Sequence, residues 1–426
     1  MMRLLGLDPK TADWLSDVER ASPAVTGSGR RFASSKLFML QPQRVTCLVA
    51  AFAERIHCWY PVLSKDFSEV LDACLHGSSR TAADTCLAML VLAIGSLAEK
   101  RSIGQALEER PDSVYLEEAL PLLPEVISDY TLASLQCLIF YSVYYQCRLR
   151  PCQANDYILM ASYKAQNMLK GTLFSSNPVQ MQSLRRAYWA ILLIESELSV
   201  QLDMVNSGIS KYDEKTPLPA SEDVWSYSHA IGIPPDMENS PVHSFSPESL
   251  LSPSQSADLT RSYFLAEIAM RRMLQRCTTS VSKSAGGRLQ YAPVIAKELE
   301  LQLNEWFEYL PPDLQFCKTP ADESEVALVP RATFLQTQYS ACKASIYWPA
   351  VVQVIERDTA NTDTAYYCTQ FFNSYVSFII TATAASKTCL PNAWTLSARY
   401  ISFIHSPPPS LPLLHLNTVS LTELLI

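Results

Sequence analysis

His57, Tyr60 and Asp66 bring an imidazole, a phenol and a carboxylate within ten residues of one another. A neutral imidazole beside those groups can move protons near neutral pH, the work needed on a phenol or an enone. The same string, His57-Cys58-Trp59-Tyr60-Pro61, also has the composition of a core-packing turn with a hydrogen-bonded histidine. Glu195 and Glu197 follow an apolar run that includes Trp189. A carboxylate in such a run must be solvated, paired with a cation or shifted in pKa. Arg185 and Arg186 are too far along the same helix to supply the cation, so an ion pair requires another helix; the alternative is a carboxylate that anchors a ligand hydroxyl. Tyrosines crowd the middle of the chain, and Tyr141 and Tyr145 share a face at i,i+4. Rings with polar tips suit a pocket for an aromatic or polyketide-like ligand, and equally a buried core. The candidate set is therefore His57 as acid–base group with Glu197 as its electrostatic partner, and Tyr60, Tyr141, Tyr145, Trp189 and Glu197 as ligand contacts.

No other chemistry is written in the usual motifs. The sequence has no His-Glu-x-x-His, GxGxxG, Walker or GxSxG string. Its six histidines include no i,i+4 pair, and its twelve cysteines are scattered with no Cys-x2-Cys. A zinc cluster needs such close pairs, so no metal and no cofactor is expected, and the cysteines read as small buried hydrophobes.

These groups must be positioned by helices. Of 426 residues, 48% are apolar and 18% charged, enough for a large core. Alternating β-branched runs are nearly absent, so the expected fold class is all-α, a single large superhelical body. Helices are predicted over 43–55, 67–75, 81–99, 113–123, 131–147, 155–169, 179–202, 260–277, 293–310, 331–357 and 364–387. Asp66 or Ser64 is expected to cap the second of these. The predicted 81–99 and 131–147 helices are apolar all round and need cover on every side. The expected organisation is an N-terminal extension over 1–40, a helical domain over 41–390 with a long Pro- and Ser-rich irregular insertion at about 206–260, and a Pro-rich tail over 391–426.

The net charge of −8 opposes a phosphate backbone, and the longest basic runs are the pairs Arg30-Arg31, Arg185-Arg186 and Arg271-Arg272. The expectation is no direct nucleic-acid binding. The N-terminus is too broken by charge and proline for a signal peptide, and no uncharged apolar stretch is long enough for a membrane span. An intracellular protein without membrane contact is expected.

Several strings, taken in order, resemble the fungal-specific transcription factor domain, the middle region of fungal zinc-cluster regulators. The segment 57–63, HCWYPVL, resembles its entry motif, and 132–145 with Gln136 resembles the helix that follows. The segment 157–165 resembles the next helix, and 185–202, with its Arg-Arg pair and Trp189, resembles the central signature. The segment 339–349 resembles a later helix, with Trp348 where the family carries arginine. Together they cover roughly 45–390. The chain departs from the family in lacking a zinc cluster, and in reading Asp203-Met204-Val205 where the family has a Gly-Arg-Pro turn.

The resemblance implies a superhelical all-α body, nuclear regulation, frequent dimers and a response to metabolites. The expected function is a ligand-sensing or dimerising domain of a pathway-specific transcription regulator, without its own DNA-binding module. Its partners would be a second copy or a partner transcription factor, and its place the nucleus. The competing expectation is a cytoplasmic, cofactor-free cyclase or isomerase of secondary metabolism on the same helical body, which needs shape and one acid–base group rather than a metal. A third is a scaffold protein.

Overall fold

The computed structural model describes residues 9–21, 41–64, 66–78, 81–100, 102–171, 174, 176–202, 204–219, 253–279, 282–283, 289–290, 292–318, 329–357 and 362–397. Most of the expected insertion (220–252), part of the N-terminal extension (1–8 and 22–40) and the tail beyond 397 lie outside the described residues.

Helix α1 (Pro9–Ala21) precedes α2 (Pro42–Phe52), whose last turn widens into a π-helical turn over Ala53–His57. Then come α3 (Phe67–Leu75), α4 (Ala82–Ala98), α5 (Ile103–Glu109), α6 (Ser113–Ala119) and α7 (Leu123–Ser128). The next group is α8 (Leu132–Cys147), α9 (Pro151–Lys170) and α10 (Pro178–Leu202). The last is α11 (Pro253–Thr279), α12 (Pro293–Glu308), α13 (Pro330–Arg357) and α14 (Thr362–Thr388). The fold is all-α, apart from a two-residue antiparallel pair between α11 and α12, in which Ser282 lies opposite Gln290 and Lys283 opposite Leu289.

The two helices without a polar face form the centre. Nearly every residue of α4 and α8 is buried. α4 packs on α2, α6 and α8; α8 packs on α9, and α9 on α10. A second layer, in which α11 and α12 pack on the α13–α14 hairpin, joins the first through α10 and α11. One apolar core runs from Val45 to Leu396, with a small satellite of Ala12, Cys152, Leu202 and Trp394. Nine of the twelve cysteines are buried in this packing.

Caps decide where the central helices begin. Thr81 and Thr131 stand in extended backbone, and their hydroxyls accept from the amides of Asp84 and Ser134. Of the two residues expected to cap α3, Asp66 or Ser64, Asp66 directly precedes the helix but makes no side-chain cap, because its backbone is not in the extended conformation that aims a capping oxygen at the first turn. Gly95 is where α2 crosses α4: a Cβ there would sit 2.2 Å from the Leu48 carbonyl oxygen. No residue larger than glycine fits that approach.

Three predicted segments differ clearly in their bounds, and proline explains them. Pro151 and Pro253 start α9 and α11 earlier than the periodicity suggests, since proline suits the first helical turn. The segment predicted to stop at Pro124 instead passes through the 3-10 turn Leu120–Leu122 into α7, because Pro121 and Pro124 each sit in a first turn. Helix α13 runs through Pro349 to Arg357, close to its predicted span. α1 and α5 were not anticipated. The Glu19 carboxylate of α1 accepts from the amides of Cys152 and Gln153, both at 2.9 Å, and so caps α9 from far away in sequence.

Candidate functional site

The resemblance strings meet in space. After the π-helical turn, Pro61 holds the chain extended, and two of its carbonyls are claimed by neighbouring helices. Gln136 Nε2 on α8 donates to the Val62 carbonyl at 2.6 Å, and Arg186 Nη2 on α10 donates to the Leu63 carbonyl at 3.4 Å. The Arg186 side chain is fully buried, and desolvation lowers its pKa to about 10. Trp59 sits edge-on between Tyr263 of α11 and Phe334 of α13, at 5.2 and 5.5 Å. Tyr60 donates its hydroxyl proton to Asn392 Oδ1 at 3.0 Å, and burial pushes its pKa well above the usual phenol value. His57 is buried, its ring 6.3 Å from that of Phe52.

Glu197 and Arg271 form a buried ion pair between α10 and α11, the interhelical pairing that the apolar run around Glu197 calls for. Glu267, one turn before Arg271, lies 3.7 Å from the same guanidinium. Burial lowers the Arg271 pKa, but the charges of Glu197 and Glu267 outweigh it and hold the pKa above its ordinary value. Tyr60 feels the charge of both glutamates, so this turn and the ion cluster share one neighbourhood. Glu195 has a different task. Its carboxylate accepts from the Ser207 amide at 2.6 Å and the Ser207 hydroxyl at 2.8 Å.

Trp189 is fully buried and donates from its indole nitrogen to the Pro217 carbonyl at 3.1 Å. The Arg272 guanidinium stacks on its face, 4.7 Å from the ring centroid, while bonding to Asp213. Tyr188 donates to the Ile209 carbonyl at 3.1 Å. The signature helix thus uses its polar atoms to tie down residues 204–219, the stretch that follows the position where the family carries its Gly-Arg-Pro turn.

Tyr141 and Tyr145 lie on one face of α8, as their spacing requires, and the ring of Tyr157 from α9 stacks on both, at 4.9 and 5.3 Å. The Tyr141 hydroxyl lies 3.4 Å from Cys86 Sγ. Burial raises the pKa of both tyrosines. Three rings in register occupy the α8–α9 interface. An open groove of about 660 Å³ lies elsewhere, between the end of α11 and α12, lined by Arg276, Val294, Ile295, Glu298, Leu301 and Gln302.

The structure therefore sets Tyr141 and Tyr145 side by side on α8 and places Trp189 against the 204–219 loop, while Tyr60 bonds to Asn392 and Glu197 to Arg271. Sequence reasoning missed Glu267, Arg271, Arg272, Asp213 and Asn392. The Arg271-Arg272 pair was visible as a basic pair, and Glu267 at i−4 was the signal that one of these arginines is held inward. Among the described residues, no group of three or more His, Cys, Asp or Glu side chains could hold a metal ion, and no helix is long and apolar enough to cross a membrane.

Residues 49–308 match the family described as the fungal specific transcription factor domain. The chain is also similar to a protein of Aspergillus rugulosus provisionally named transcription factor ecdB, with 42% identity over 417 residues. That alignment takes in 94% of this chain and 69% of the relative's length. No solved structure matches the chain.

Proposed function

Because the chain belongs to the fungal specific transcription factor domain family, with the regulatory role that this carries, we propose that it is the regulatory body of a pathway-specific transcription regulator. In this reading it works in the nucleus, does not itself read DNA, and tunes a DNA-bound partner or a second copy. One observation carries the reading over the cyclase alternative. The polar groups of the signature helix and the entry motif are spent on the protein: Glu197 on Arg271, Glu195 on Ser207, Trp189 on Pro217 and Tyr60 on Asn392. General acid–base work needs a group that can reach a substrate proton. A structural role needs the opposite, and that is how these groups are used.

The test is a fusion. Residues 1–426 joined to a heterologous DNA-binding module should change transcription from a reporter carrying that module's sites, relative to the module alone. Equal output from both would count against the proposal.

A further inference from the structure

Two of the cysteines that look like plain core residues in the sequence face each other across the second layer. Cys277, in the last turn of α11, and Cys342, in the middle of α13, are 65 positions apart in sequence, and their Sγ atoms lie 3.9 Å from one another. Cys277 is 5% exposed and Cys342 fully buried. Neither has another hydrogen-bond partner among the described residues. The other buried thiols that meet are anchored elsewhere. Cys86 and Cys137 touch at the α4–α8 contact, but Cys86 lies against the Tyr141 hydroxyl and the Ala119 carbonyl, and Cys137 against the Ala83 carbonyl.

A disulfide sets its sulfurs about 2.05 Å apart, so the 277–342 pair has about 2 Å left to close. α11 packs directly on α13. Packed helices slide by about 1–2 Å, and helix ends fray, so the end of α11 can supply the movement. Access comes from the same end. Arg276, the residue before Cys277, lines the open groove between α11 and α12 together with Ile295 and Gln302. The bond to Cys277 and burial raise the Cys342 pKa well above the ordinary thiol value, which keeps a proton on Cys342 and leaves Cys277 as the attacking sulfur.

We propose that Cys277 and Cys342 form a paired-thiol modification site that hydrogen peroxide converts, reversibly, into a disulfide tying α11 to α13. The Cys277 thiolate attacks one peroxide oxygen; the S–O bond forms, the O–O bond breaks, and the leaving hydroxide takes up the proton that the thiol gave up, as water. The Cys342 sulfur then attacks the sulfenic sulfur; the S–S bond forms, the S–O bond breaks, and the hydroxyl leaves with the Cys342 proton as a second water. The two thiols lose two electrons together, and the peroxide is reduced to two waters. The bond would fasten to α13 the helix whose Arg271 and Arg272 hold Glu197 and Asp213. In a reducing compartment such a bond is transient and signals rather than braces. It gives the proposed regulatory body an oxidant-responsive input, and rests on that reading only for its purpose.

The experiment treats the purified, reduced chain carrying Cys317→Ser, which removes an exposed thiol, with hydrogen peroxide. Remaining thiols are blocked, and the digest is read by mass spectrometry with and without dithiothreitol. The expected product is a linked peptide pair holding Cys277 and Cys342, lighter by about 2 Da than the two reduced peptides and cleaved by dithiothreitol. It should form about tenfold or more faster than a link between any other two buried cysteines. The oxidised chain should show a higher Tm, because the link constrains 65 residues of the unfolded chain. Cys342→Ala should stop the sequence halfway, with a dimedone-reactive sulfenic acid on Cys277, and Cys277→Ala should abolish both link and Tm rise. If these variants fail to fold, the rate and position of the link with both cysteines present decide alone. Both thiols still free after treatment of the folded chain, or a link that forms only once the chain is unfolded, would overturn the proposal. The readout is covalent chemistry, so its failure leaves the reporter-fusion test of the regulatory reading untouched.

Discussion

Glu197 of α10 and Arg271 of α11 pair inside the protein with less than a tenth of either side chain exposed, and Glu267 shares the same arginine. One cation thus serves two carboxylates at the joint between the two layers. Removing the cation should cost more than removing one anion. Arg271→Met is expected to lower unfolding free energy by about 3–5 kcal/mol, since it strands two buried carboxylates. Glu197→Gln leaves Arg271 with Glu267 and should cost clearly less. Urea titrations of the two variants decide it, and equal losses would show that the pair is not the joint's main polar contact.

Gly95→Ala should destabilise despite alanine's better helix propensity. Propensity favours the change by about 1 kcal/mol. The new Cβ would stand 2.2 Å from a backbone oxygen of α2, and neither helix can yield locally. Overpacking of this kind costs about 1–3 kcal/mol or more. The urea midpoint should fall, and a rise would mean that α2 does not approach α4 so closely.

Helix caps give a contrast within one protein. Thr131→Ala removes the acceptor for the Ser134 amide and should cost about 1 kcal/mol. Asp66→Ala removes no side-chain cap and should be nearly neutral. Thermal unfolding of the pair measures the difference.

Alkaline pH should unfold the protein through its buried phenols. Burial raises the pKa of Tyr60, Tyr141 and Tyr188, and that of Tyr339 to about 12. The unfolded chain would release these protons near the free value of about 10. The folded state therefore binds more protons above that pH. The stabilisation is complete below about pH 10 and is lost as pH rises from there toward the folded pKa values. Tyrosinate absorbance should appear together with loss of helical circular dichroism; its appearance in a still-folded protein would contradict the burial.

Arg272→Ala should loosen residues 204–219 selectively. It removes the cation over Trp189 and the bond to Asp213, contacts worth about 1–2 kcal/mol. Amide hydrogen exchange should speed up in that loop and at the middle of α10, with little change in α4 or α8.

Much of this arrangement was legible before any coordinates. The all-round apolar character of α4 and α8 declared them central, and the ends of α3, α8 and α10 fell within a residue of their predicted places, because composition and caps are local. The loop contacts were legible only in part. That Glu197 would need water, a ligand or a cation from another helix followed from its apolar surroundings; that its partner is Arg271 did not, because the two are 74 positions apart in sequence. Tyr60 gave no hint of Asn392, nor Glu19 of α9, for the same reason. The positive φ of Arg110 and Leu149 was invisible, since neither residue type announces a left-handed backbone.

The bond between Glu19 and α9 bears on what counts as the self-sufficient piece of this protein. The stretch shared across the family, 49–308, leaves out the acceptor of the α9 amides, Val45 and Leu48 of α2, the whole α13–α14 hairpin and the asparagine that receives the Tyr60 proton. A polypeptide trimmed to that stretch would expose the flank of α11 that α13 covers, and would leave α9 with bare amides at its start. The stretch matched by the family is therefore smaller than what must be present for the chain to hold its shape, and the flanking helices carry the duty of cover.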